Sequence, residues 1–136
     1  MQQLVQVLTR VLGHYPQRGQ ILVDCGFTAI TKQGQGAQVR NTIQGTALIT
    51  PQAGHPSMIA SVVDCPDLML SNITQEIGFL SPVEEGSSPD YSSHPVGSLL
   101  ELVPYHACAT AACHPVYYVH DSQGIVIEEW RPCRGW

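Results

Sequence analysis

The sequence has few charged residues. Asp, Glu, Lys and Arg make up 12% of its 136 residues, about half of the ~25% that is usual for soluble domains. Lysine occurs once, at Lys32, and the net charge is −5. Nucleic acid is therefore excluded as an expected partner, because neutralising phosphates requires clustered Lys and Arg. A surface this poor in charge predicts either a face covered by another domain or a surface built from Gln, Ser, Thr and Gly.

Long apolar stretches and targeting signals are also missing. No apolar run approaches the ~18 residues that span a bilayer, so no membrane partner is expected. Residues 1–10 lack the basic and continuous apolar regions of a signal peptide. The five cysteines are an odd number, and without an export signal we expect reduced thiols and a cytoplasmic protein.

Turn-forming residues are abundant, with twelve Gly and ten Pro. They separate short apolar runs, a pattern that predicts β-strands at residues 20–24, 27–31, 46–50, 58–63, 68–73, 77–80, 99–103, 116–119 and 125–130. Only residues 1–13 carry apolar side chains at helical spacing, with Gly13 where a helix would stop. The predicted fold is mainly β, a β-barrel-like domain preceded by one N-terminal α-helix.

Potential metal ligands are concentrated in residues 104–114. His106 and Cys108 lie two positions apart after a predicted strand, and in extended backbone such residues project to the same face. Imidazole and thiolate favour zinc over magnesium or calcium. Cys113 and His114 could complete a closed four-ligand site, although this spacing is not a familiar structural zinc pattern. Spacing alone slightly favours a structural alternative, in which His106 hydrogen-bonds a carbonyl and Cys108 is an ordinary buried thiol.

Other candidate residues give weaker signals. Cys25 could be a reactive thiol, but no adjacent base is evident and a buried turn is the favoured interpretation. Glu76 could support a metal ligand or could be an exposed carboxylate. The glycine-rich loop at residues 32–37 lacks the Gly-Lys-Ser/Thr ending of a phosphate-binding loop.

The sequence resembles a family of lyases. The resemblance rests on Pro104-Tyr105-His106-Ala107-Cys108 and the alanine-rich residues after it, on residues 116–119 and 130–136, and on the earlier segments 21–30 and 75–78. Together they resemble the C-terminal domain of eukaryotic D-serine dehydratase, a family grouped with D-threonine aldolase and alanine racemase. By this resemblance residues 15–136 are the C-terminal β domain, and residues 1–14 are the last helix of a (β/α)8 barrel that the sequence lacks.

The resemblance implies a chemistry. In the family the barrel carries pyridoxal phosphate on a lysine, and the β domain supplies zinc; His106 and Cys108 match the zinc-binding pair. D-Threonine aldolases usually have Asp at the second position, so Cys108 favours the dehydratase. The implied reaction converts D-serine to pyruvate and ammonia, with the cofactor as electron sink and zinc drawing off the β-hydroxyl. Glu76, Cys113 and His114 are possible supporting residues near the metal.

Two departures from the family leave the function open. The cofactor-bearing lysine is absent, since Lys32 lies in the glycine-rich loop, and Ile77 stands where the family usually has His. The first hypothesis is a zinc-binding fragment of a D-serine dehydratase that is inactive alone. The alternatives are a non-catalytic zinc-binding or interaction domain and an aldolase-like protein. The resemblance implies a homodimer or pairing with a (β/α)8 barrel domain.

Overall fold

The computed structural model describes residues 5–33 and 58–133. These residues are mainly β, which confirms the predicted class. The strands are β1 (Val7–Tyr15), β2 (Gln20–Val23), β3 (Ala60–Val62), β4 (Cys65–Ile73), β5 (Gly78–Pro82), β6 (Leu99–Pro104), β7 (Tyr117–His120) and β8 (Val126–Trp130); α1 spans Ala107–Ala111, and 3-10 helices span Pro16–Arg18 and Tyr91–Ser93. The strand predicted at 46–50 lies outside the described residues. Within the described ranges, no helix has the length and apolarity needed to cross a membrane.

Six strands form a closed barrel. Their order is β1-β2-β5-β4-β3-β6, and β6 pairs with β1 to complete the circle, with every pair antiparallel. Aliphatic side chains from all six strands fill the interior, among them Val11, Ile21, Leu70, Leu80 and Leu102. Each fully buried side chain of this size contributes about 1.5–3 kcal/mol through the hydrophobic effect. This interior is the hydrophobic core of the domain. The packed barrel therefore holds the loops at its ends in fixed positions.

The predicted N-terminal helix is wrong, because residues 7–15 form strand β1. Val7, Thr9 and Val11 point into the barrel, whereas Leu8 is 63% exposed on the outer face. A polar residue, Thr9, faces the core and an apolar residue, Leu8, faces outward. The sequence of β1 therefore does not alternate between apolar and polar residues as a half-buried strand usually does, and its apolar residues match a helical spacing instead. Thr9 is tolerated inside because its hydroxyl donates to Asp24 Oδ1 at 2.7 Å. Gly13, expected to stop a helix, lies instead at an irregularity in the β1–β2 pairing.

The strand predicted at residues 27–31 is also wrong, because the chain turns there. The amides of Ala29 and Ile30 both donate to the carbonyl of Gly26, at 3.0 and 3.1 Å. Gly26 packs directly against the turn between β4 and β5, and a Cβ at this position would overlap the carbonyl oxygens of Thr74 and Gln75. Only glycine permits this approach. The contact fixes the start of the segment that follows β2.

Strands β7 and β8 form a separate two-stranded sheet. All five residues of β8 are exposed, and on β7 the ring of Tyr118 is 64% exposed. The Tyr117 hydroxyl donates to the carbonyl of Ala111 at 2.9 Å, which ties the hairpin to α1. A lone hairpin is marginally stable in water, so this bond is important for holding β7 in place.

Candidate metal site

Three segments meet at one end of the barrel. They are residues 24–33 after β2, the turn at residues 74–77 between β4 and β5, and residues 105–114 after β6. The Phe27 amide donates to the Thr74 carbonyl at 2.9 Å, which joins the first two segments. The third is joined to the first by two histidine side chains, described below. All five of the site residues predicted from the sequence lie in these segments.

His106 lies between β6 and α1. Its backbone is extended, with φ −122° and ψ 100°, and its side chain is half-buried. Its Nδ1 hydrogen-bonds Oε1 of Gln33, 73 residues earlier in the chain. The sequence-based alternative expected a hydrogen bond from His106 to a carbonyl, and the oxygen that His106 contacts is the side-chain amide oxygen of Gln33. This bond leaves Nε2 as the nitrogen that can bind a metal ion.

Cys108 is the second residue of α1, and it is exposed rather than buried. The prediction that His106 and Cys108 both project from extended backbone is therefore wrong. The alanines at 107, 109 and 111 are strong helix formers, and they turn the chain directly after His106. In the two described ranges, no group of three or more His, Cys, Asp or Glu side chains could hold a metal ion. The assignment of His106 and Cys108 as metal ligands stays a prediction.

Cys113 and His114 have bonds of their own. The Cys113 thiol donates to the carbonyl of Ala109 at 3.5 Å, within the turn that ends α1. The Nε2 of His114 donates to the carbonyl of Ala29 at 2.8 Å. Through these contacts both side chains fasten the α1 segment, and His114 binds it to the segment after β2. A supporting role for them near a metal stays a prediction.

Glu76 and Cys25 lie at the same end of the barrel with different surroundings. Glu76 is exposed in the turn between β4 and β5, and its supporting role also stays a prediction. Cys25 is 1% exposed. Burial, followed by the charges of Asp24 and Cys113, raises the pKa of the Cys25 thiol to about 12. This thiol is a core residue at a turn and not a nucleophile, as the favoured interpretation of the sequence held.

Two features of this end were missed by sequence reasoning. Gln33 was considered only as part of a loop that might bind phosphate, and nothing in its local sequence connects it with His106. Thr110 on α1 is fully buried, and its hydroxyl has no hydrogen-bond partner among the described residues. The Gln33 contact spans 73 residues of sequence, and no local sequence motif records either feature.

The closed antiparallel barrel places the chain in a known class of domain. Its fold matches that of an alanine racemase-like protein from Idiomarina loihiensis, with a TM-score of 0.69, 28% sequence identity, and coverage of 96% of this chain and 32% of that chain. The family model described as "Putative serine dehydratase domain" matches residues 5–120. The chain therefore belongs to the serine dehydratase domain family, which confirms the resemblance drawn from the sequence.

Curated relatives carry two related names. D-Serine dehydratase of Saccharomyces cerevisiae is 28% identical over 130 residues, covering 96% of this chain and 28% of that protein. D-threo-3-Hydroxyaspartate dehydratase of Delftia sp. is 29% identical over 138 residues, covering 97% and 32%. A solved structure of a histidine-to-alanine mutant of the latter enzyme has a TM-score of 0.74 at 27% identity, covering 96% of this chain and 31% of that one. The chain spans less than a third of the length of these relatives.

The residues present fit zinc but not pyridoxal phosphate. The imidazole and thiolate of His106 and Cys108 suit zinc, and the Gln33 hydrogen bond orients the imidazole as metal-binding histidines require. Pyridoxal phosphate needs a lysine amine for its covalent attachment. The ammonium of Lys32, the one lysine, lies 5.2 Å from the ring centroid of Phe27, in a cation–π contact. The residues of this chain therefore do not provide the covalent attachment that pyridoxal phosphate needs.

Proposed function

We propose that this chain is the zinc-binding β domain of a D-serine dehydratase that depends on pyridoxal phosphate. The observation that carries the proposal is the His106-x-Cys108 pair at one end of the barrel, in a chain of the serine dehydratase domain family. The solved structures of the hydroxyaspartate dehydratase add support. They include histidine-to-alanine and cysteine-to-alanine mutants at positions two apart, and the cysteine mutant is described as metal-free. The same spacing separates His106 from Cys108.

The zinc would be held by His106 Nε2 and Cys108 Sγ, with solvent at the remaining positions. When bound, it would supply a Lewis acid for the β-hydroxyl oxygen of the substrate. His106 would contribute the lone pair of Nε2, and the hydrogen bond from its Nδ1 to Gln33 fixes the orientation of the ring. The exposed thiol of Cys108 contributes the soft ligand that disfavours magnesium and calcium. This open set, unlike a closed four-ligand site, leaves room for a substrate.

Activity requires a second domain. In the proposal, a (β/α)8 barrel that carries pyridoxal phosphate faces the site end of this barrel, in the same polypeptide or in a partner of a homodimer. D-Serine binds between the two domains of this cytoplasmic enzyme. The exposed apolar side chains on the outer faces of β1 and β6, including Leu8 and Leu99, are consistent with a face that another domain covers.

A second candidate substrate is D-threo-3-hydroxyaspartate, because one relative at 29% identity is named for it. Both substrates carry a β-hydroxyl, so the same metal chemistry applies to each. Comparing the two as substrates of one reconstituted enzyme separates these candidates. The aldolase alternative is less favoured, because Cys108 matches the dehydratases and the D-threonine aldolase structure, at 21% identity, is similar in fold alone. The non-catalytic alternative remains, since Ile77 replaces the usual histidine.

Zinc content tests the proposed ligands. We expect the purified chain to bind about one zinc ion per molecule. Cys108→Ser should lower the zinc content sharply, and Cys133→Ser, at another exposed cysteine, should not. Elemental analysis after dialysis against a weak chelator measures this. If Cys113→Ser or His114→Gln abolishes binding as completely as Cys108→Ser does, the site is a closed structural one and the catalytic proposal fails.

Turnover tests the need for a second domain. We expect the zinc-loaded chain with added pyridoxal phosphate and D-serine to produce no pyruvate, whereas a chimera with a barrel from the family should do so. Pyruvate production that disappears with Lys32→Met in the isolated chain would contradict the proposal. A chimera that binds zinc and cofactor but becomes active only after Ile77→His would favour the non-catalytic alternative.

A further inference from the structure

Gln33 makes a hydrogen bond that the family assignment does not predict. It lies near the end of the segment after β2, and its Oε1 hydrogen-bonds Nδ1 of His106 across 73 residues of sequence. The same oxygen accepts from the Thr31 hydroxyl at 3.3 Å. Two donors therefore converge on one oxygen of the side-chain amide. The oxygen end of the amide, and not its NH2 end, therefore faces the histidine in this structure.

The orientation of the amide decides the tautomer of His106. An oxygen facing Nδ1 requires a proton on Nδ1, and in the neutral ring Nε2 then keeps its lone pair. A reversed amide would place its NH2 group against Nδ1 and move the ring proton to Nε2, which could not then bind a metal ion. The structure has the oxygen end of the amide facing Nδ1, which is the arrangement that leaves Nε2 free to bind a metal ion.

The backbone on both sides of this hydrogen bond is held in place. Ile30, three residues before Gln33, is a core residue with 1% exposure, and its amide donates to the Gly26 carbonyl at 3.1 Å. His106 precedes α1, and its carbonyl accepts from the amide of Thr110 at 3.2 Å. The His114 bond to the Ala29 carbonyl at 2.8 Å links the same two segments a second time. These contacts anchor the two segments that carry the hydrogen bond, and Gln33 itself is exposed three residues beyond Ile30.

We propose that Gln33 is a positioning residue that holds His106 in the Nδ1–H tautomer, so that Nε2 is ready to bind the metal. The inference rests on the proposed function in one respect only, that His106 is a metal ligand. Partners of this kind fix the ring orientation and raise the basicity of the ligating nitrogen, and their removal typically weakens metal affinity about 10- to 100-fold. Gln33 does not touch the metal or the substrate, so its effect passes through His106.

The first test measures zinc affinity by competition with a chromophoric chelator. Gln33→Leu removes the acceptor while keeping similar volume, and we expect the Kd for zinc to rise about 10- to 100-fold. Gln33→Glu keeps an acceptor, and its affinity should equal or exceed that of the unmodified chain. Gln17→Leu changes an exposed glutamine in the 3-10 helix after β1, outside the site segments, and should leave the Kd unchanged.

The second test reads the tautomer directly, without metal. Long-range 1H–15N NMR of the metal-free chain, recorded under conditions in which the spectrum shows a neutral imidazole, distinguishes a protonated Nδ1 from a protonated Nε2. We expect His106 to show the Nδ1–H form in the unmodified chain and in Gln33→Glu, and a mixture of both forms in Gln33→Leu.

The outcomes separate the inference from the proposed function. If His106→Ala and Cys108→Ser abolish zinc binding but Gln33→Leu keeps both the tautomer and the affinity, the inference is wrong and the function stands. If Gln33→Glu loses as much affinity as Gln33→Leu, the residue acts through packing, and the inference is again wrong. If the unmodified chain binds no zinc, the proposed function fails. The tautomer measurement still decides whether Gln33 controls His106.

Discussion

Asp24 joins the first strand of the barrel to the segment that carries Gln33, and its removal should destabilise the fold strongly. Its Oδ1 accepts from the Thr9 hydroxyl at 2.7 Å and from the Arg10 amide at 2.8 Å. Thr9 is 2% exposed and Asp24 is exposed, so the Thr9 bond is partly buried and its loss leaves a buried hydroxyl, whereas the Arg10 bond is exposed. Hydrogen bonds to a charged group contribute about 1.5–3 kcal/mol, least where they are exposed, and an unsatisfied buried hydroxyl costs about 1–3 kcal/mol. For Asp24→Ala we therefore expect a loss of about 3 kcal/mol.

A double-mutant cycle isolates the buried bond. Thr9→Val removes the hydroxyl in nearly the same volume and should cost about 1 kcal/mol, since no unsatisfied group is left inside the barrel. In the double variant the orphaned hydroxyl is gone, so we expect a coupling of about 1.5 kcal/mol between the two changes. Asp24→Asn keeps an acceptor at Oδ1 and should cost about 1 kcal/mol. The free energy of unfolding in urea, followed by far-ultraviolet circular dichroism, measures each value. Additivity of the two single changes to within ~0.3 kcal/mol would refute the reasoning.

A close-packed glycine, two thiols and a surface carboxylate give three further expected outcomes. Gly26→Ala should lower the free energy of unfolding by about 2 kcal/mol or more, because its Cβ would overlap backbone carbonyls. Gly13→Ala is the control, because a Cβ at Gly13 meets nothing within 4 Å. Cys108 should react with a thiol reagent at pH 8 in the folded chain, and Cys25, whose pKa burial raises to about 12, should react only on unfolding. Hydrogen bonds from Ser92 and then Ser93 lower the pKa of Asp90 from 3.8 to about 2. Its stabilising contribution is therefore complete well above pH 3.8 and is lost as the pH falls towards 2, and a carboxyl titration midpoint near 3.8 by NMR would contradict this.

The positions of the strands could be predicted from the sequence where Gly, Pro, Asp or Ser residues bounded a short run of apolar residues. The predictions at residues 20–24 and 99–103 differ from β2 and β6 by one residue at one end. The prediction failed where a long-range contact decides the local structure. In β1, a buried Thr9 depends on Asp24 from another element, so the sequence around it looks helical. At residues 27–31, the turn depends on the packing of Gly26 against the β4–β5 turn, which lies far along the sequence.

The candidate site was predictable in its residue types but not in its geometry. His106 and Cys108 stood out because they are metal-ligand types two positions apart. The extended backbone predicted for both residues is wrong, because the alanines after His106 favour a helix and form α1. Gln33 could not have been found from one sequence. A glutamine has no distinctive spacing relative to a histidine 73 residues away, and only the closed barrel brings the two together.

The closure of the barrel by β1 and β6 has a consequence for the order of folding during synthesis. Val7 pairs with Leu102, and the Arg10 guanidinium donates to the Gly97 carbonyl 87 residues later. While the ribosome makes the intervening chain, β1 can form a hairpin with β2, but its other edge stays unpaired and open to unwanted strand addition. Joining such distant strands also carries a large loop-closure entropy, which slows folding. A nascent chain stalled before Leu99 would therefore expose an edge that the finished domain hides, and it is at this stage that chaperone binding would matter most.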